Sequence, residues 1–377
     1  MKILKRIAIA VVSVIVLLVI TTFFVIGQPQ FGKAPKGEHL ETLKNSEQHN
    51  GKTFENEGGI DVDMSIGKMI KLLPRFLIAQ EGESPSRPVP VVQRKPADFQ
   101  TNDPQLLSAT WFGHSAFLLE IDGKKLFLDP MLGPAAGPFS FMTKRFNDTL
   151  PVAIEDLPAI DAVLFSHDHY DHLDYPTILA MKEKVGHFFV PLGLGSHLQH
   201  WGVASEKITE LDWWQEVEFQ GMTLVSTPAQ HFSGRSLSDR NATLWTSWVI
   251  LGKQHRVFFN GDSGYFGGYK KIGEKYGPFD LCMVECGQYN EQWSEIHMMP
   301  EQTHQAFLDL QGEVLMPIHW GMFDLALHHW TDPIERVMAA AEKAGSVVAT
   351  PRVGESIIIG RPIPSDPWWK AVDQVLK

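Results

Sequence analysis

Five of the six side chains in His167-Asp168-His169-Tyr170-Asp171-His172 can hold a metal ion or accept a proton. The apolar run 161–165 before them predicts a short buried strand, and 173–184 after them predicts a helix. Alternate residues of an extended segment project the same way, so His167 and His169 can share one ion. Asp171 and His172 come after the chain turns, face elsewhere, and could bind a second ion nearby. Three further candidates each close an apolar strand beside turn residues: His231 after 224–230, Asp262 after 257–261, and His319 after 315–318. A strand end is where a rigid sheet presents reactive groups on loops, and the placement recurs three times. Imidazole and carboxylate donors suit zinc, and iron or manganese is compatible with the same set.

Two groups of strands must position these residues. Segments 106–111, 116–121 and 125–128 read as strands, the last pair turned by Asp122-Gly123. A loop rich in Gly, Pro and Phe, 130–146, is long enough to wall a site. Strand 187–190 and helix 196–201 follow, then strands at 216–219, 223–227, 244–251 and 256–260. Helices at 265–276, 300–310 and 333–344 come next, separated and closed by short strands at 314–317, 347–349 and 356–359. Strands grouped this way, with helices after each group, fit an α/β fold of two sheets packed face to face under outer helices. The tail, 368–377, reads as a short amphipathic helix.

The amino terminus carries Lys2, Lys5 and Arg6, followed at 7–26 by about twenty residues without a charge, enough to cross a hydrocarbon core of about 30 Å. The run ends without a small-residue cleavage signal, so we expect an uncleaved, single-pass anchor. Its flanking charge puts the amino terminus inside the cell and the rest of the chain outside. Three regions are expected: an anchor at 1–27, an arm and linker at 28–104 with a helix at 64–79 and a proline-rich strap at 81–96, and a compact domain at 105–377. The formal charge of −11 argues against broad affinity for nucleic acid, which wants a basic face. The two cysteines, Cys282 and Cys286, fall on one predicted strand about 13 Å apart, too far for a disulfide, and read as buried thiols.

The order His-x-His-x-Asp-His, then His, Asp and His, resembles the metallo-β-lactamase superfamily. Segments 110–115, 166–174, 228–232, 258–265, 297–301 and 317–321 narrow the resemblance to N-acylphosphatidylethanolamine-hydrolysing phospholipase D and its bacterial relatives. Pro228-Ala229-Gln230-His231 and Ile318-His319-Trp320-Gly321 carry most of that narrower likeness. The resemblance implies a four-layer αβ/βα sandwich with a binuclear centre, two zinc ions being the first expectation. His167, His169 and His231 would hold one ion and Asp171, His172 and His319 the other, with Asp262 bridging.

The implied reaction is hydrolysis of a phosphodiester, in a phospholipid or another small molecule, by a hydroxide held between the ions and oriented by Asp171. His297 is the expected catalytic group outside the ligand set, donating a hydrogen bond or proton over the phosphate. His114 is expected behind the ligands, and His328 and His329 at the surface. Gly261 and Gly264 are expected to let a strand turn sharply beside Asp262. A lactonase or other small-ester metallohydrolase is the enzymatic alternative, and a non-catalytic metal-binding adaptor the alternative from another class.

Overall fold

Alternating apolar residues divide the first strands between two layers. The computed structural model describes residues 2–60, 81–99, 102–147 and 149–373. The helix expected at 64–79 and the end of the tail lie outside the described residues. The first sheet takes β1 (Leu107–Trp111), β2 (Phe117–Ile121), β3 (Lys124–Leu128), β4 (Ile160–Leu164), β5 (Val185–Pro191) and β6 (Ile208–Leu211). Phe117, Leu119, Ile121, Leu126 and Leu128 join one core with Leu224, Ile250 and Phe258 from the second half of the chain. Leu118 and Phe127, on the other face, join a second core with Ile178 and Leu198 from flanking helices. This period of two fixes which face of the sheet meets the opposite sheet.

The second sheet takes β7 (Glu216–Phe219), β8 (Met222–Thr227), β9 (Ser247–Leu251), β10 (Arg256–Phe259), β11 (Phe279–Glu285), β12 (Gly312–Ile318) and β13 (Val347–Val348). The last strand, β14 (Ser356–Ile358), returns to the first sheet and pairs with β1. Both sheets are seven-stranded, in the orders β14-β1-β2-β3-β4-β5-β6 and β13-β12-β11-β10-β9-β8-β7. Each joins an antiparallel half to a parallel half, β3 to β6 in the first and β10 to β13 in the second. With flanking helices, these two mixed sheets form the four-layer sandwich of the metallo-β-lactamase fold.

Helix α1 (Lys2–Ile26) contains a stretch, Ile3–Ile26, that is long and apolar enough to cross a membrane and is not buried against the described chain. Helix α2 (Gly37–Leu43) belongs to the arm. Helices α3 (Tyr175–Met181) and α4 (Gly195–His200) flank the first sheet. Helices α5 (Gly268–Tyr276), α6 (Pro300–Asp309) and α7 (Asp332–Ala344) flank the second, and α8 (Trp369–Val372) ends the described chain. The strap lies beside the segment that leads into β14, where the Val92 N–H donates to the Val353 carbonyl.

Several expected boundaries move. Asp174 caps α3 by accepting from the Thr177 N–H, so the helix starts two residues after the expected Leu173, and Asp171 and His172 lie in the turn before it. The strand expected from Leu244 starts at Ser247, because the Thr246 N–H is committed to the Ser166 carbonyl in the loop after β4. Strand β6 was not expected; it is four residues long, half-buried and carries Thr209 and Glu210, so no apolar run announces it. The turn at Asp122-Gly123 has positive φ at both residues, 51° and 77°, as a tight hairpin turn requires. Cys282 and Cys286 are free and buried.

Candidate metal centre

Strand direction brings the chemistry to one edge. The parallel halves, and the strands two places away across antiparallel neighbours, end together at the same rim. His114 follows β1, Asp129 follows β3, and the 167–172 loop follows β4; His231 follows β8, Asp262 β10, and His319 β12, while Glu285 closes β11. The two sheets are joined there directly, the His319 N–H donating to the His114 carbonyl at 3.3 Å and the Trp248 indole to the Phe165 carbonyl at 2.9 Å. Among the described residues ten other than glycine have positive φ, and three of them, His114, Asp129 and His319, lie in this rim. Such backbone persists only where its surroundings over-determine it.

All seven sequence-derived ligand candidates converge. His169 Nδ1 stands 2.9 Å from His167 Nε2 and 3.2 Å from His231 Nε2. His172 Nε2 lies 3.5 Å from Asp171 Oδ2, and His319 Nε2 lies 3.9 Å from the same oxygen. Asp262 is central: its Oδ2 is 3.8 Å from His167 Nε2, 3.2 Å from His172 Nε2 and 3.7 Å from His231 Nε2, while its Oδ1 is 3.1 Å from His319 Nδ1. Gly261 permits this placement: it has φ 59°, and a Cβ there would meet the Ser166 side chain at 2.3 Å. No helix follows Gly264 directly, since α5 starts four residues later at Gly268.

The donor chemistry fits divalent ions. His167, His169 and His231 could together hold one, and Asp171, His172 and His319, with His114 within the same reach, another. His172 Nε2 and Asp262 Oδ1 are buried, and despite approaches of 3.2 Å and 3.1 Å to Asp262 Oδ2 and His319 Nδ1 neither makes a well-aligned hydrogen bond among the described residues. Leaving such atoms unsatisfied costs stability that a bound ion restores. Burial pushes the His167 and His231 rings well below their ordinary pKa and His169 down to about 4, keeping these imidazoles neutral, the form that ligates metal. Burial alone would also depress His172, but the carboxylates of Asp262, Asp171 and Asp129 outweigh it and raise this ring. Burial raises Asp262 to about 7 even though His172 pulls it down.

Two supporting carboxylates were missed from the sequence. Asp129, fully buried, accepts from the Ser166 N–H at 2.7 Å and the Ser166 hydroxyl at 2.5 Å, and its Oδ2 lies 2.7 Å from His172 Nδ1. Glu285, also fully buried, accepts from the Met298 N–H and lies 2.9 Å from His297 Nδ1. Each closes an apolar strand, the same signal that marks Asp262 and His319. His297 stacks on His319 at 5.3 Å between centroids and stands 5.0 Å from the His231 ring. It does not cap α6, whose first turn is closed by Gln302 accepting from the Met299 N–H. His114 reaches Asp171 Oδ2 with Nε2 at 2.9 Å. His329 is exposed as expected, but His328 is half-buried and stacks on Tyr289 at 4.4 Å, because the turn folds back over that ring.

The arm also reaches the rim, which no sequence pattern announces. Asn56 brackets His231, accepting from its N–H at 3.1 Å and donating to its carbonyl at 2.8 Å. Arg235 donates from one guanidinium to the carbonyls of Gln30, Asp168 and Leu173, tying the residues after α1 to the ligand loop. His197 makes a parallel link: its Nδ1 accepts from the Lys33 N–H, and its Nε2 faces Asp168 Oδ2 at 3.3 Å. Asp168 is thereby a loop-orienting residue, held down to about 2 against its burial by His197 and the Gly234 N–H.

Residues 124–320 match the family described as a beta-lactamase superfamily domain. An uncharacterized protein of Mycobacterium tuberculosis is 42% identical over 306 residues, 80% of this chain and 81% of that one. N-acyl-phosphatidylethanolamine-hydrolyzing phospholipase D 1 of Caenorhabditis elegans is 34% identical over 252 residues, 63% of this chain and 71% of the relative. Among solved structures, Igni18, a metallo hydrolase from the archaeon Ignicoccus hospitalis, has a TM-score of 0.53 at 22% identity, covering 68% of this chain and all of that one, which is a likeness of fold.

Proposed function

The chain belongs to the beta-lactamase superfamily, as a metallohydrolase of that fold, and on this premise we propose that it is a phosphodiesterase of phospholipase D type acting on a phospholipid. The observation that supports the reading is the convergence of seven candidate ligand side chains on one rim, around the carboxylate of Asp262. The name of the worm relative and the apolar α1, which would hold the rim near lipid, support the choice of substrate class.

In this reading His167, His169 and His231 would hold one divalent ion and Asp171, His172 and His319 another, with Asp262 within reach of both groups. Zinc is the first choice for these donors, with iron or manganese alternatives. Bound ions supply positive charge for the phosphoryl oxygens and water activated near neutral pH. The protein's own groups orient the reaction. Asp171, which His114 Nε2 approaches at 2.9 Å, would orient the attacking water. Glu285 holds Nδ1 of His297, so Nε2 is the ring atom left for the leaving alcohol or a phosphoryl oxygen. Of the ligand candidates and His297, only His169, Asp171 and His297 retain surface exposure, so substrate approaches along their side of the rim.

The test is product analysis with metal-replete, full-length protein and vesicles of N-acylated and ordinary phosphatidylethanolamine. The expected products are phosphatidic acid and the free head-group alcohol, absent with His169→Ala. Release of a phosphorylated head group, or undiminished turnover by metal-free His169→Ala, overturns the reading.

A further inference from the structure

The residues after α1 continue into an aromatic patch on the 130–146 loop. Past α1 the chain turns through an extended Gln28 into a short 3-10 turn at Pro29–Phe31: the Gln28 N–H donates to the Val25 carbonyl, the Phe31 N–H to Gln28, and the Gly32 N–H to Pro29. Phe31 stands five residues past the end of α1, at most about 18 Å of chain away, so it lies near the exit of that helix. Phe31 packs edge-on against Tyr170 of the ligand loop at 6.2 Å and against Phe139 at 6.1 Å. Phe139 in turn stacks on Phe141 at 5.5 Å with the rings nearly parallel. Phe141 is 75% exposed and Met142 40% exposed.

A phenylalanine and a methionine held open to solvent at a loop tip, beside the half-buried Phe139, lose much of the stabilisation that burial would give, roughly 1.5–3 kcal/mol for a fully exposed large side chain. Exposed Lys33 and Lys144 flank them, the composition of a surface that meets anionic head groups. The patch is also rigidly referenced to the rim, because Arg235 and His197 clasp the 28–33 segment to the ligand loop. A cleft of 180 Å³ lies between them, lined in part by Gln30, Pro138, Tyr170 and Arg235.

We propose that residues 139–142 form a second membrane contact: Phe141 and Met142 sit in the bilayer interface beside the exit of α1, and lipid, not protein, covers them. The proposal rests on α1 being a membrane span, and it fixes the tilt of the domain so that the ligand loop faces the bilayer. A single span leaves a domain free to rotate; a span plus a loop-tip contact does not.

The test uses the full chain, reconstituted in vesicles, with a bimane label at Phe141→Cys. Cys282 and Cys286 are fully buried, so the label goes to the new thiol, and Phe141 is exposed enough to replace without disturbing the core. Lys253→Cys, exposed in the turn between β9 and β10 at the opposite edge of the sheet, is the reference position. Lipids carrying a nitroxide near the head group should quench the label at 141 at least about threefold more than the label at 253. Equal quenching in protein that survives a carbonate wash overturns the loop contact while leaving the span intact. Loss of the protein in that wash overturns the span and the contact with it. Neither outcome depends on which bond the enzyme cleaves.

Discussion

Around His167, His169 and His231 the chain supplies imidazoles that burial keeps neutral, whereas around His172 it supplies the carboxylates of Asp129, Asp171 and Asp262. The first trio is set by packing and by main-chain partners: His231 Nδ1 faces the Ile296 carbonyl at 3.0 Å, and Asn56 grips its backbone. The second is set by charge balance, with His172 held between Asp129 on Nδ1 and Asp171 and Asp262 near Nε2. A trio aligned by packing should tolerate loss of one remote partner. A group aligned by charge should not, since removing one carboxylate changes both the direction of the ring and the attraction for a cation.

Asp262 belongs to both halves, so Asp262→Ala should empty both. Metal content should fall from two equivalents to near zero and turnover by on the order of 10³-fold or more, with the far-ultraviolet circular dichroism of the fold retained. Metal analysis that still finds one full equivalent would show the halves to be independent. Asp129→Asn should separate them, weakening the metal at the His172 half by roughly 10–100-fold and leaving the imidazole trio loaded, as read by chelator competition. Asn56→Ala acts on the other side. It strips two buried hydrogen bonds from the His231 backbone, which should lower stability by about 1–3 kcal/mol in denaturant titration, with a smaller loss of metal than Asp129→Asn causes.

The smallest effect should come from outside both halves. His39 on α2 faces Glu210 Oε2 at 2.8 Å, and that hydrogen bond raises its pKa. Its contribution is therefore fully present below the ordinary histidine pKa and disappears as pH rises through the raised value. His39→Gln should cost under about 1 kcal/mol, since the pair is partly exposed, and the difference from the unsubstituted chain should shrink between mildly acid and alkaline buffer. A difference that grows with pH would reverse the sign of the link.

Much of the rim was legible because a charged or imidazole side chain closing an apolar strand is a local pattern. His231, Asp262 and His319 were found that way, and the two-sheet α/β architecture follows from the grouping of strands. Asp129 after 125–128 and Glu285 at the end of 279–285 carry the same mark and could have been found by applying the rule to every strand. Asn56, Arg235 and His197 could not. Their partners lie 175, 205 and 164 residues away, and no periodicity encodes a contact made through single backbone groups. The start of α3 was misjudged because Leu173 extends the apolar pattern while Asp174 supplies the cap.

The clasp between the arm and the rim also imposes an order on biosynthesis. The arm is made early, but its partners at 168–245 come later, and the rim is not complete until His319 has been added. At ordinary translation rates that interval is on the order of tens of seconds. Closing so long a loop adds little to its entropic cost, so the backbone of His231 gains its Asn56 partner only once most of the chain has been made.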